Sequence, residues 1–212
     1  LYADLLDDTR GRAPLRRLRR ATPSLAGFVM LLAVRGRTPS LQHHNVLFPA
    51  DYDAEFDAIF GRVPRPVDDP TIYLCAPDDP LMRPDDEHES WFVLVNAPRP
   101  APAGGVDWSD GMLVDRYRER VLDVLAARGF DVRPRLVWSE VRTPADLERT
   151  TRSPGGSIYG TSSNGARAAF LRAANQSPVP GLFLVGGSAH PGGGLPLVGM
   201  SAAIVAELIG TA

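Results

Sequence analysis

The chain has 212 residues, 44% of them apolar and 23% charged, which gives room for one good core or two small ones and excludes a disordered or fibrous protein. All 23 basic residues are arginine, set against 25 acidic ones for a net charge of −2, so no positive field argues for a nucleic-acid partner. The single cysteine, Cys75, excludes an internal disulfide, and no apolar run reaches the length needed to span a bilayer.

In chain order, Ala3-Asp4-Leu5-Leu6 reads as the tail of a helix begun before Leu1. Arg16, Arg17, Arg19 and Arg20 read as a solvated helix face, a cluster that can also meet anionic lipid head groups. Phe28 to Val34, introduced by Pro23 and closed by Arg35-Gly36, predicts a strand, and His43 to Phe48 a second one. Burial in a core accounts for the first run without any ligand. His43 and His44 alternate along their presumed strand, so they cannot chelate as a helical pair does, and no metal site is expected.

Asp51 caps a short helix with Tyr52, Phe56, Ile59 and Phe60 on one face and Gly61 at its end. Val63 to Pro70 is a loop. Ile72 to Ala76 and Trp91 to Asn96 are further strands, with the acidic, exposed stretch Asp78 to Glu89 between them. Cys75 falls within the first of these, which predicts a buried thiol rather than a nucleophile. From about Gly111 to Arg128 a stripe of Leu113, Tyr117, Val121 and Leu125 predicts the clearest helix, stopped by Gly129. Val132 to Val141 is a strand, and Thr143-Pro-Ala-Asp146 has the form of a capping box with proline in the first turn. Without a regular alternation of strands and helices, the pattern is α+β.

Near the C-terminus, Leu182 to Val185 reads as a buried strand ending at Gly186 and Gly187, followed by Gly192, Gly193 and Gly194 and a helix that begins at Pro196. The N–H groups from about Leu197 and Val198 onward would emerge at the positive end of that helix and can hold an anionic or carbonyl oxygen. The helix is apolar nearly all round, with Glu207 its only charge, which predicts a core helix. On pattern alone such a glycine loop serves equally well as a plain connection in an α/β domain. Ser188 and His190 do not form a nucleophile elbow, since Gly186-Gly-Ser-Ala-His190 fails G-x-S-x-G, and a serine hydrolase is not expected. His190 either faces a ligand or donates to a nearby carbonyl.

Gly181-Leu-Phe-Leu-Val-Gly-Gly-Ser-Ala-His-Pro-Gly-Gly-Gly-Leu-Pro196 resembles the closing FAD motif of the phytoene desaturase family of carotenoid flavoenzymes, a variation on GLYLVGAGTHPGGGIP. Thr143 to Asp146 followed by Ser153 to Gly160 resembles that family's TPxD…SPxGSxYG. His43 to Phe48 followed by Asp51 to Phe56 resembles HHxxxF…DYxxEF, and Asp69 to Pro77 resembles DPTxYxxxP. The similarity runs over essentially the whole chain.

The resemblance implies FAD as cofactor, held through Gly187, Ser188, Gly194, Leu195, Pro196, Leu197 and Val198, and an apolar isoprenoid or carotenoid substrate that gives up hydride to the flavin. It also implies an antiparallel-sheet substrate domain with helices over residues 1–151, and over 152–212 a connecting segment with the strand, loop and helix that complete an FAD-binding Rossmann-like domain. The G-x-G-x-x-G fingerprint that opens such a domain is not in this sequence, so the chain reads as the C-terminal part of a bacterial enzyme, inactive alone. Where related flavoproteins set an acid against the ribityl chain, Gly187 and Ser188 stand here, leaving that contact to backbone groups or the Ser188 hydroxyl. The expected compartment is the reducing cytoplasm, with peripheral contact at the inner membrane face. The alternative is a stand-alone apolar-ligand binding module without redox activity.

Overall fold

The computed structural model describes residues 2, 6, 9–100, 105–162 and 172–210. Residues 3–5 of the presumed N-terminal helix tail lie outside that description. The fold is α+β, with two compact units: residues 25–156, and residues 1–24 together with 157–212. The first 24 residues therefore group with the C-terminal unit, whereas the division at residue 151 assigns them to the sheet domain.

The larger unit is built on five antiparallel strands: β1 (Ala26–Arg35), β2 (His44–Leu47), β3 (Ile72–Cys75), β4 (His88–Ala97) and β5 (Leu136–Arg142), in the order β2-β3-β4-β1-β5. Its sequence explains the two faces. Along β1, Phe28, Met30, Leu32 and Val34 are buried and point one way, while Leu31 and Ala33 point the other and are half-buried. The register carries this alternation across the sheet, pairing Met30 with Val93, and on the opposite face Leu31 with Phe92 and Cys75 with Phe92.

The core lies on the first face. There Phe28, Trp91, Val93, Val95, Ile72 and Leu74 pack with residues of a helix over Gly111–Ala127. That helix holds the predicted stripe: Tyr117, Val121 and Leu125 are buried, and Asp110 caps it by accepting from the Met112 N–H at 2.9 Å. Phe28, Trp108 and Tyr117 stack edge to face and tilted, with centroids 4.9–5.7 Å apart, and the Trp108 indole N–H donates to the Pro98 carbonyl at 2.8 Å.

Numbered along the chain, the helices are α1 (Arg12–Arg20), α2 (Asp53–Phe60), α3 (Gly111–Ala127), α4 (Pro144–Thr151) and α5 (Leu195–Ile209). Helix α2 corrects the sequence reading. Its buried residues are Glu55, Ala58 and Ile59, while Tyr52 and Phe60 are exposed. The cause is a buried carboxylate: Glu55 accepts from the Thr71 N–H at 2.7 Å and from the Asn96 amide at 2.6 Å, so the polar residue turns inward with its partners supplied. Asp51 still serves the helix start, accepting from the Asp53 and Ala54 N–H groups at 3.1 Å.

Helix α4 carries the complete capping box, Thr143 accepting from the Asp146 N–H and Asp146 from the Thr143 N–H. Strand β5 starts at Leu136 rather than Val132, because Arg133–Arg135 form a 3-10 turn around Pro134. In α1 none of the residues is buried, as a solvated arginine face requires. No helix of the described residues is long and apolar enough to cross a membrane.

Candidate cofactor-binding site

The smaller unit holds the glycine loop, and there the structure departs from the expected buried strand. Leu182–Val185 forms no strand; it folds back on residues 175–177, with a single bridge between Gln176 and Phe183. The Leu184 N–H donates to the Asn175 carbonyl at 2.7 Å and the Ser177 N–H to the Leu182 carbonyl at 3.1 Å. With its backbone partners among the described residues on this one side, the run is half-buried, and Val185 is 58% exposed.

What fixes the loop is a pair of buried polar side chains. Asn175, 5% exposed, shares the two hydrogens of its amide nitrogen among three acceptors, the Leu184 and His190 carbonyls and the Ser201 hydroxyl, each at 2.9 Å. Ser201 is fully buried on α5 and accepts from the Gly186 N–H at 3.2 Å. The loop is thereby tied at Leu184, Gly186 and His190 to the helix that follows it. Arg172, also buried, donates to the Tyr159 and Gly187 carbonyls at 2.7 and 3.1 Å. None of these residues is singled out by the sequence reading, though a lone serine inside an apolar helix is the kind of residue that demands a buried partner.

Gly187 and Val198 are brought together: a Cβ on Gly187 would stand 3.4 Å from the Gly193 Cα and 3.8 Å from the Val198 Cγ2. A side chain at Gly193 would collide with the Tyr159 ring, whose Cδ1 lies 1.9 Å from the ideal Cβ position, so that ring lies directly on the loop backbone. Gly194, with φ at +96°, precedes α5 in a conformation that favours glycine. Ser188, Gly194, Leu195, Pro196 and Leu197 are exposed around the start of α5, and the His190 ring is exposed as well.

The helix starts one residue earlier than its sequence predicts, at Leu195, with Pro196 inside the first turn. This alters the donor set. The Val198 N–H is already committed to the Gly194 carbonyl at 2.9 Å, so the first-turn donors outside the helical ladder are those of Gly194, Leu195 and Leu197. The expected core helix is also corrected: only Ser201 and Val205 are buried on α5, and Leu195, Met200 and Ile209 are among its exposed apolar residues.

These residues fit the ring end of a flavin. Exposed backbone donors stand at a helix N-terminus, nothing lies within 4 Å of a Cβ built at Gly194, and Ser188 supplies a hydroxyl. A cavity of about 480 Å³ lies elsewhere in the same unit, lined by Tyr2, Leu18, Ala21, Ala173 and Leu184 among others, and none of the expected FAD contacts lines it.

In the larger unit, the sheet face turned away from the core is apolar but only partly covered. Leu31, Leu94 and Tyr73 are half-buried there, while Val46, Phe92 and Trp138 are 37–51% exposed. Cys75 lies on this same face and is half-buried, not enclosed as expected. The Tyr73 hydroxyl is raised above its ordinary pKa, first by burial and then by its neighbour Cys75. The expectation that His43 and His44 diverge fails because β2 begins at His44; His43 lies before the strand, free of its alternation, and the two rings tilt together with centroids 4.4 Å apart.

The chain matches no protein-family model. It is 36% identical over 212 residues to the 1-hydroxycarotenoid 3,4-desaturase of Flavobacterium sp. (strain P99-3), which covers 98% of this chain and 41% of that protein. It is 35% identical over 206 residues to the hydroxyneurosporene desaturase of Rubrivivax gelatinosus, covering 95% and 37%. To the 4,4'-diaponeurosporene oxygenase of Staphylococcus haemolyticus (strain JCSC1435) it is 37% identical over 193 residues, covering 88% and 37%. The chain thus spans about two-fifths of the length of these relatives.

Proposed function

We propose, for a chain that belongs to the carotenoid desaturase family, that it supplies the substrate wall and the ring-end cofactor contacts of an FAD-dependent oxidoreductase acting on a long apolar polyene. The observation that carries this reading is the second face of the sheet. A sheet that buries one face in a core and leaves Phe92, Trp138 and Val46 open on the other has an apolar surface to offer a ligand without polar groups.

FAD, when bound, supplies the two-electron acceptor for hydrogen removed from neighbouring polyene carbons. The residues of this chain bind and orient. Leu31, Leu94 and Phe92 bury the apolar chain and exclude water from it. The N–H groups of Leu195 and Leu197, at the positive end of α5, hold a carbonyl or anionic oxygen of the ring end and favour negative charge there. Gly187 and Ser188 meet the ribityl side through the backbone and the hydroxyl, and Asn175 with Ser201 keeps the loop in register with the helix. No side chain of this chain is assigned as a proton acceptor.

The exposed apolar sides of α5 support the further reading that the 157–212 segment completes a cofactor domain whose phosphate-gripping part is carried by other residues of a longer protein. Expressed with the coding region upstream of Leu1, the protein is expected to show a flavin spectrum and to convert a linear polyene supplied in liposomes to a product absorbing at longer wavelength. A flavin spectrum absent after reconstitution with FAD overturns the reading. Polyene binding without flavin would favour an apolar-ligand module in its place.

A further inference from the structure

The chain has one cysteine and four histidines, and Cys75 meets two of those histidines at one point of the sheet. A ring nitrogen of His43, a ring nitrogen of His44 and the Cys75 sulfur all lie within 4.8 Å of one another. The backbone dictates the meeting. His44 on the edge strand β2 is the register partner of Cys75 on β3, and the bond from the Ala76 N–H to the His43 carbonyl, 2.9 Å, makes His44 and Cys75 a non-hydrogen-bonded pair, the kind whose side chains stand closest. His43, just outside the strand, swings its ring onto the same side.

We propose that His43, His44 and Cys75 form a site for a thiophilic divalent metal ion of the zinc type, with a fourth position open to water. Two imidazoles and a thiolate are a borderline-soft donor set, matched to Zn²⁺ or Co²⁺ and mismatched to Mg²⁺ or Ca²⁺. Bonds of the usual Zn–N and Zn–S lengths would place the donor atoms about 3.5 Å apart, so closing the site asks for about 1 Å of movement. Both histidines are exposed and have room to make it. A second group prepares the site: the Tyr73 hydroxyl, two residues before Cys75 on the same strand face, is hydrogen-bonded to His44 Nδ1 at 2.8 Å and orients that ring as outer partners orient metal-ligating histidines. A bound ion would clip the four-residue edge strand β2 to β3.

The test uses the purified, reduced protein titrated with Co²⁺ alone, which reads metal binding whatever reaction the protein catalyses. The expected result is one equivalent bound, with a thiolate-to-cobalt charge-transfer band and tetrahedral d–d bands that Zn²⁺ abolishes by displacement. Cys75→Ala should remove the charge-transfer band, and His43→Ala and His44→Ala should each weaken binding at least about tenfold. These residues are exposed or half-buried, so metal-free far-ultraviolet circular dichroism and unfolding midpoints should match the parent. Absence of a charge-transfer band in the parent overturns the site. So does a band that survives in the His43→Ala/His44→Ala double variant, which would assign the ion to the cysteine without the histidines.

Discussion

At the scale of single residues, the glycine loop is held by groups whose importance depends on partners far along the chain. Ser201→Ala removes the acceptor of the part-buried Gly186 N–H and leaves it unsatisfied, while the two Asn175 amide hydrogens keep the Leu184 and His190 carbonyls. The expected cost is about 1–3 kcal/mol, read from denaturant unfolding, with faster loss of flavin from the longer protein. Unchanged stability would show that the network does not hold the loop. Gly199 offers the converse case. It lies inside α5, and a Cβ there would meet nothing within 4 Å. Gly199→Ala should therefore stabilise the helix by about 0.5–1 kcal/mol. If the cofactor passes over the first turn of α5, the same substitution weakens FAD retention while the unfolding midpoint rises; a rise in both would move the cofactor away from Gly199. The glycines of this loop were legible in the sequence, because a missing side chain is a local fact. Asn175, Ser201 and Arg172 were not, because a buried hydrogen bond is visible only once both ends are placed.

Among the elements, those whose signals are local came through best. Helix α3 has its apolar stripe and its stop at Gly129, and α4 has its capping box in four consecutive residues. Thr143→Ala should cost about 1 kcal/mol by removing that cap. The cap also carries a pH dependence. Burial alone would raise Asp146, but the Thr143 N–H, the Arg149 guanidinium and the Thr143 hydroxyl outweigh it and hold the carboxyl below the ordinary aspartate range. A carboxylate lowered in the folded state stabilises fully above its unfolded pKa, and that contribution is lost as the pH falls through the lower folded one. Unfolding midpoints between neutral pH and about pH 3 should thus fall less steeply in Asp146→Asn than in the parent; equal slopes would remove the carboxylate from the cap. Where an element depends on its neighbours, the sequence misled. Leu182 to Val185 has the composition of a buried parallel strand, yet its backbone partners among the described residues come from its own short hairpin. Helix α2 showed an aromatic face, yet the partners waiting for Glu55 decided which side is buried.

For the whole molecule, the question is what the apolar surface is for. Adjacent residues of β4 separate the two answers, because Val93 is 1% exposed in the core and Phe92 is 37% exposed on the other face. Introducing a charge at Val93 buries an unpaired carboxylate among Phe28, Ile72 and Leu74, and Val93→Glu should fail to fold. Phe92→Glu places the same carboxylate where water can reach it, so stability should change by no more than about 1 kcal/mol. If the second face is the substrate wall, however, a polyene must lie against that residue, and an apolar chain offers a carboxylate nothing in return for its lost hydration. The longer protein carrying Phe92→Glu should therefore keep its flavin and its unfolding midpoint while losing polyene conversion, with Trp138→Glu on the adjoining part of the face behaving alike. Normal conversion in both variants would place the substrate elsewhere. Loss of flavin together with conversion would mean that the substitution damaged the fold, a result the unfolding midpoint reports independently.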